Sequence, residues 1–283
     1  MTTTALELPR GQAALYRSAV YEALSLGFTY PDAEVRERLQ VLLEDMRDYE
    51  IEIAPELRTQ VVALLDALRA ADPVAQQIEY NRLFDQSMLC SPFETEYEAD
   101  PFAKARQTAD ISGFYSAFGL SVSSAHPTLH DFIGSELEFM SLLTRKEAYA
   151  GFRHWTRRLQ TTEQAEITFL RDHLGRWART LCTDLHSALE SDHDATAHFY
   201  RTLGALCQEF VEDELRRFHV RPLRLKKRML GDREPMVCPL APDVSAVETG
   251  SMAFGDAEAF GAEIAFTGDP GLDDDATFNF GEE

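Results

Sequence analysis

The chain has 283 residues, 45% of them apolar, and a formal net charge of −21. This is enough apolar content to bury a core. The charge repels phosphate backbones and anionic lipid, so neither nucleic acid nor an acidic membrane surface is an expected partner.

No stretch of about 18 apolar residues occurs, and 1–9 has neither a basic n-region nor an apolar h-region, so a cytoplasmic protein without membrane insertion is expected. Cys90, Cys182, Cys207 and Cys238 are far apart and form no C-x-x-C pair. They read as reduced structural thiols rather than a zinc or disulfide framework.

From about residue 11 to 230 the apolar residues recur at helical spacing, which predicts an all-α fold of about eight helices in one bundle-like domain, 1–234. The first helix runs over 12–27, with Leu15, Ala19, Ala23 and Leu26 on one stripe. Asp32, after Pro31, reads as an N-cap for Val35, Leu39, Leu42 and Leu43. Asp72-Pro73 opens the next helix through Ile78, Tyr80, Leu83 and Phe84, a capping carboxylate followed by proline at the first helical position. Between 86 and 101 the period disappears, and Ser91-Pro92 marks a loop or an extended segment.

Helices are expected again over 103–118, 128–149, 162–189 and 195–218. Thr161 and Gln164 have capping-box spacing ahead of the third of these. The bundle is expected to end near Arg221-Pro222. After Arg233 there is no Lys or Arg, and the composition turns to Gly, Asp, Glu, Ala and isolated Phe, so 235–283 reads as a disordered acidic tail.

Two groups of residues draw attention. On the helix expected from 128, Leu129, Ile133, Glu136, Met140 and Leu143 form one stripe, so Glu136 lies on an apolar face and needs a partner such as an arginine or tyrosine. It either pins two helices together or lines a groove that accepts a basic residue. In 93–100, an extended backbone puts Glu94, Glu96, Glu98 and Asp100 on one side and Phe93, Thr95, Tyr97 and Ala99 on the other. That pattern is either a solvated acidic loop packed through Phe93 and Tyr97, or a carboxylate ladder beside an apolar strip that suits a peptide with paired arginines.

Glu79-Tyr-Asn-Arg-Leu-Phe84, Cys90-Ser-Pro-Phe-Glu-Thr-Glu-Tyr97, Asp110-Ile-Ser-Gly-Phe-Tyr115 and Asp131 through Glu136-Leu-Glu-Phe-Met140 occur in an order and spacing that resembles the TorD/DmsD/NarJ family of redox-enzyme maturation chaperones. Phe169-Leu-Arg-Asp-His-Leu-Gly-Arg-Trp177 and 199–213 extend the resemblance, which covers about 12 to 220. It implies an all-α cytoplasmic chaperone with no cofactor and no chemistry of its own. Its implied partner is the catalytic subunit of a molybdopterin (DMSO-reductase-type) oxidoreductase, held through a twin-arginine leader or N-terminal segment while cofactor is inserted. The chaperone itself is implied to be a monomer or a domain-swapped dimer.

The residues expected to bind the client are Pro92, Phe93, Glu94, Glu96, Tyr97, Asp131, Phe132, Glu136 and Met140. The family's Asp-His pair is here Asp131-Phe132, with His130 one position early.

A rival reading is a helical-bundle metal protein or enzyme built on His130, Asp131, Glu136 and the Glu190-x-x-His193 pair, although no second Glu-x-x-His occurs. His154, His173, His186, His198 and His219 are scattered and read as surface or packing residues. The basic run from Arg216 to Arg228 precedes the acidic tail and is expected to pair loosely with it. Phe254, Phe260 and Phe266 recur every six residues among acids, as a solubilising tail or a second docking segment.

Overall fold

The computed structural model describes residues 10–48, 55–98, 100–120 and 130–223. Among them are nine α-helices: α1 (Arg10–Phe28), α2 (Ala33–Asp48), α3 (Pro55–Ala70), α4 (Pro73–Tyr80), α5 (Pro101–Ala117), α6 (Ile133–Phe152), α7 (Thr156–Asp172), α8 (Leu174–Ala188) and α9 (Ala195–Arg217). A π-turn, Asn81–Asp85, prolongs α4, and a short 3-10 turn, Glu94–Tyr97, precedes α5. The all-α class is as expected, with one more helix than the eight foreseen. The tail expected over 235–283 lies outside the described residues, as do Cys238 and Leu129.

The helix starts follow the local chemistry of the sequence. Asp32 Oδ1 accepts from the Val35 amide at 2.8 Å, and Asp72 Oδ1 from the Ala75 amide at 2.9 Å, with Pro73 in the first turn. Asp194 does the same for α9, accepting from Ala197 at 2.8 Å. Each cap satisfies an amide that the first turn leaves without a partner, and contributes about 1 kcal/mol.

α1 and α6 form a central antiparallel pair. Their close approach is marked by small residues: Ser18 Oγ donates to the Ser141 carbonyl at 3.0 Å, and Ser25 Oγ to the Gly134 carbonyl at 2.8 Å. α2 packs on α1 and α3, α7 on α6, and α9 on α3 and α8. The α6 stripe of Ile133, Met140 and Leu143 is fully buried, along with Phe139, Phe169, Tyr200 and Trp177. Burying an aromatic or aliphatic side chain of this size contributes about 1.5–3 kcal/mol, which is why the stripe orients α6.

Four helices also meet at one buried arginine. Arg17 of α1 donates to Glu147 of α6 and Glu166 of α7, each at 2.5 Å, and through Nε to Glu214 of α9 at 2.8 Å. Tyr21 Oη donates to Glu214 at 3.1 Å, and the Phe218 ring lies 5.1 Å from the guanidinium. Burial, only partly offset by Arg17, pushes the Glu166 carboxyl up to about 8, so it is protonated at neutral pH.

Three expected boundaries are corrected. The single helix over 162–189 is two helices broken at His173, whose backbone (φ −129°, ψ −101°) both ends α7 and begins α8. The Thr161/Gln164 capping box is not a start: α7 already begins at Thr156, and Thr161 Oγ1 donates back to the Arg157 carbonyl at 3.1 Å. The helix expected from 128 begins at Ile133, because Phe132 is extended and pairs with Phe93.

Candidate functional site

The segment 91–98, between the π-turn and α5, lies against the start of α6. Ile133 N donates to the Pro92 carbonyl at 2.8 Å and Glu94 N to the Asp131 carbonyl at 2.9 Å, making one antiparallel bridge between Phe93 and Phe132, whose rings are 5.9 Å apart. The Asp131 carboxylate then accepts from the Thr95 amide at 3.1 Å and the Thr95 hydroxyl at 2.6 Å. This capture curls the chain into the 3-10 turn.

The expected extended ladder is therefore corrected. Glu94 and Glu98 both turn inward and are buried, while Glu96 is half-exposed and pairs with Lys104 at 3.1 Å. The interior supplies the reason, because it offers partners that solvent would otherwise provide. Glu94, 0% exposed, accepts from Gln107 Nε2 at 3.0 Å and Arg176 Nη1 at 3.3 Å, and faces His173 Nδ1 at 3.1 Å. The other ring nitrogen of His173 lies 3.1 Å from Asp110 Oδ2, and Arg176 Nη2 lies 3.7 Å from Glu98.

Burial disfavours a charged His173, but its hydrogen bonds to Asp110 and Glu94 and their negative charge outweigh that and carry the imidazole to about 9. At neutral pH it is an imidazolium held between two carboxylates. The same hydrogen bond from His173 holds the Asp110 carboxyl below its ordinary value.

Glu136 has a different partner from the arginine or tyrosine expected. Trp177 Nε1 donates to its Oε2 at 3.1 Å. Complete burial, then the neighbouring charge of Glu94, push its carboxyl well above the ordinary carboxylate range. The Tyr97 ring packs 5.4 Å from Trp177, and its hydroxyl donates to the Ser91 carbonyl at 2.9 Å.

Pro92, Phe93, Glu94, Glu96, Tyr97, Asp131, Phe132 and Glu136 thus come together in one site, with Met140 buried a turn further along α6. Phe93, Glu96 and Tyr97 are half-buried; the other six are buried. They pack against one another as a closed cluster. Its open edge runs along α5, where the Asp110 side chain is 63% exposed and Phe114 stands 5.6 Å from the His173 ring.

His173, Gln107, Asp110 and Arg176 complete the site; Asp110, His173 and Arg176 lie in the segments that carry the family resemblance, but none of the four was among the residues expected to bind the client. One local signal was available for His173: Gly175 two residues later, where a Cβ would sit 2.3 Å from the Leu170 carbonyl oxygen. Only glycine permits the two helices to approach this closely around the break.

The residues of the metal reading do not assemble. Asp131 is engaged by Thr95 and Glu136 by Trp177, while Glu190 and His193 lie exposed between α8 and α9 rather than on one helix. Among the described residues no group of three or more His, Cys, Asp or Glu is placed to hold a metal ion. Nor is any described helix long and apolar enough to cross a membrane.

Comparisons with known proteins bear on this site. A family model described as the nitrate reductase delta subunit matches residues 50–183, a span that contains every residue of the cluster from Pro92 to Trp177. A perchlorate reductase assembly chaperone protein of Dechloromonas aromatica (strain RCB) is 25% identical over 219 residues, covering 71% of this chain and 89% of the relative. Among solved structures, a protein described as a redox enzyme maturation protein from Archaeoglobus fulgidus is 20% identical, covers 69% of this chain and 93% of its own, and has a TM-score of 0.46.

Proposed function

We propose, from this chain's membership of the TorD/DmsD/NarJ family of redox-enzyme maturation chaperones, that it binds the leader or N-terminal segment of a molybdopterin oxidoreductase catalytic subunit at the edge between the 91–98 segment and α5. It does so in the cytoplasm and without covalent chemistry, holding the subunit while cofactor is inserted. The names of the relatives, nitrate and perchlorate reductase, favour an oxyanion reductase as the client.

One observation carries the reading. The 91–98 segment is held on the bundle by buried hydrogen bonds, and at its open edge Glu96, with Asp110 of α5, lies beside half-buried aromatics. Glu96 and Asp110 supply carboxylates for guanidinium groups, while Phe93, Tyr97 and Phe114 supply an apolar strip for the uncharged part of a leader. Pro92, Glu94, Asp131, Phe132, Glu136 and Met140 hold that edge in place from behind.

Titration calorimetry at low salt, with a synthetic leader carrying Arg-Arg ahead of an apolar stretch, tests this. The leader is expected to bind roughly tenfold more tightly than a scrambled peptide, and Glu96→Lys with Asp110→Lys to abolish that preference, about 1.4 kcal/mol. Equal affinity for both peptides removes the leader from the mechanism. An unchanged preference in the double variant removes the acidic edge.

A further inference from the structure

The α6–α7 corner, where α6 ends and α7 begins, is an aromatic and cationic patch on a strongly acidic chain. Tyr149 and Phe152 are each 52% exposed and Leu15 is 43% exposed, while Trp155 is half-buried. The Tyr149 and Trp155 rings meet edge to face at 5.4 Å, and a Cβ on Gly11 would lie 3.0 Å from the Phe152 ring, which therefore rests over the start of α1. Leu15, one turn beyond Gly11 on the same face, extends the apolar surface.

The corner is held in shape. His154 is in the left-handed region (φ 57°), and Trp155 N closes the end of α6 on the Ala150 carbonyl at 2.9 Å. Four cations surround it. The Arg158 and Arg153 guanidiniums lie 4.5 Å and 5.3 Å from the Trp155 ring; Arg157 is exposed, and Lys146 is half-buried nearby. Burial, together with the charge of Arg158, lowers the Lys146 pKa. Among the described residues, Lys146, Arg153 and Arg157 have no carboxylate partner.

We infer that this patch is the docking surface for the chain's own acidic C-terminal segment around Phe254, Phe260 and Phe266. The segment 254–266 carries three phenylalanines, the acids Asp256, Glu258 and Glu263, and no cation, which complements aromatics ringed by arginines.

The reach fits. Leu223, the last described residue, is tied by its amide to the Arg171 carbonyl at 2.9 Å, at the far end of α7 from Trp155. α7 has 17 residues, about 25 Å of helix. Thirty residues lie between Leu223 and Phe254, and a random-coil tether of that length would have a root-mean-square span of roughly 30 Å. Length and distance therefore match, the condition under which tethering gives a local concentration on the order of 1 mM. At that concentration even a contact of about 1 mM intrinsic affinity covers the patch half the time.

Tryptophan fluorescence of the full chain tests this without a label. Trp177 is fully buried, so acrylamide quenching reports Trp155. Uncovering a half-occupied patch is expected to raise the quenching constant about twofold in the variant Phe254→Ser, Phe260→Ser, Phe266→Ser. Arg153→Glu with Arg157→Glu, or about 0.5 M NaCl on the unaltered chain, is expected to do the same, because the attraction is screened. Equal quenching in the unaltered chain and the triple-serine variant overturns the proposal. So does a rise that follows removal of residues 2–9 rather than the serine substitutions, which assigns the patch to the other end of the chain.

Discussion

Two buried ionic clusters in this bundle use the same chemistry to different ends. Around Arg17, every carboxylate comes from a different long helix, and the one cation nearer solvent is Arg217, 3.9 Å from Glu147. Around Glu94, the central carboxylate sits on a four-residue turn, and the outermost, Asp110, is largely exposed. Both carry more acids than cations, and in both burial makes one carboxyl harder to ionise, Glu166 in the first and Glu136 in the second. Breaking the first is expected to loosen four helices at once, and breaking the second to release 91–98 first. The first therefore behaves as a rivet and the second as a latch.

The largest effect is expected at the rivet. Arg17→Met leaves Glu147 and Glu214 as buried charges without their principal partner and should cost about 3–5 kcal/mol of global stability in denaturant titration. A loss below about 1 kcal/mol in the same titration would mean that the carboxylates simply protonate and that the cluster does not join the helices. At the latch, Glu94→Gln keeps shape but deprives Arg176 and His173 of their charge. The expected cost is about 1–3 kcal/mol, with faster hydrogen exchange confined to 91–98. Exchange that also quickens in α1 would contradict the separation of the two clusters.

Smaller effects appear with pH, and their windows differ. His173 is raised from 6.5 to about 9, so its contribution is complete below 6.5 and is lost as pH rises through about 9. Glu166 is a carboxyl raised from 4.5 to about 8, so the folded state also binds the extra proton, and its contribution is lost as pH rises through about 8. Both make the protein less stable as pH rises, each by on the order of a few kcal/mol. Melting temperatures measured across both windows should lose the upper part of this decline in His173→Gln and the lower part in Glu166→Gln. A single unchanged slope in both variants would show that neither group is the source.

The helices were legible in the sequence because caps and apolar stripes are local: Asp32, Asp72-Pro73 and the Ile133–Met140–Leu143 stripe each state their role within one or two turns. The latch was only half legible. Pro92–Tyr97 and Asp131–Glu136 stood out and do meet, but alternation over 93–100 suggested an extended strip, because nothing nearby in sequence reveals that Asp131 will capture Thr95 and curl it. His173 was passed over for the same reason. Its partners are 79 and 63 residues away, and its neighbours read as one continuous helix. The rivet was invisible, since Arg17 and its three carboxylates come from four helices and share no local pattern.

The smallest stability change, and the sharpest test of the latch, is expected from Asp110→Asn. The side chain is mostly in solvent, so global stability should scarcely move. The amide oxygen still accepts from His173, but the negative charge that favours the imidazolium is gone, and the His173 pKa should fall toward its ordinary value. If His173 holds 91–98 closed by staying protonated, the pH at which that segment begins to exchange its amides quickly should fall with it. Affinity for an Arg-Arg leader should weaken only a few-fold, about 1 kcal/mol or less, because an exposed ion pair contributes little. Exchange at 91–98 with the same pH midpoint in the variant and the unaltered chain would mean that Asp110 does not govern the proton on His173. The second cluster would then be as closed to solvent as the first, and the distinction between rivet and latch would fail.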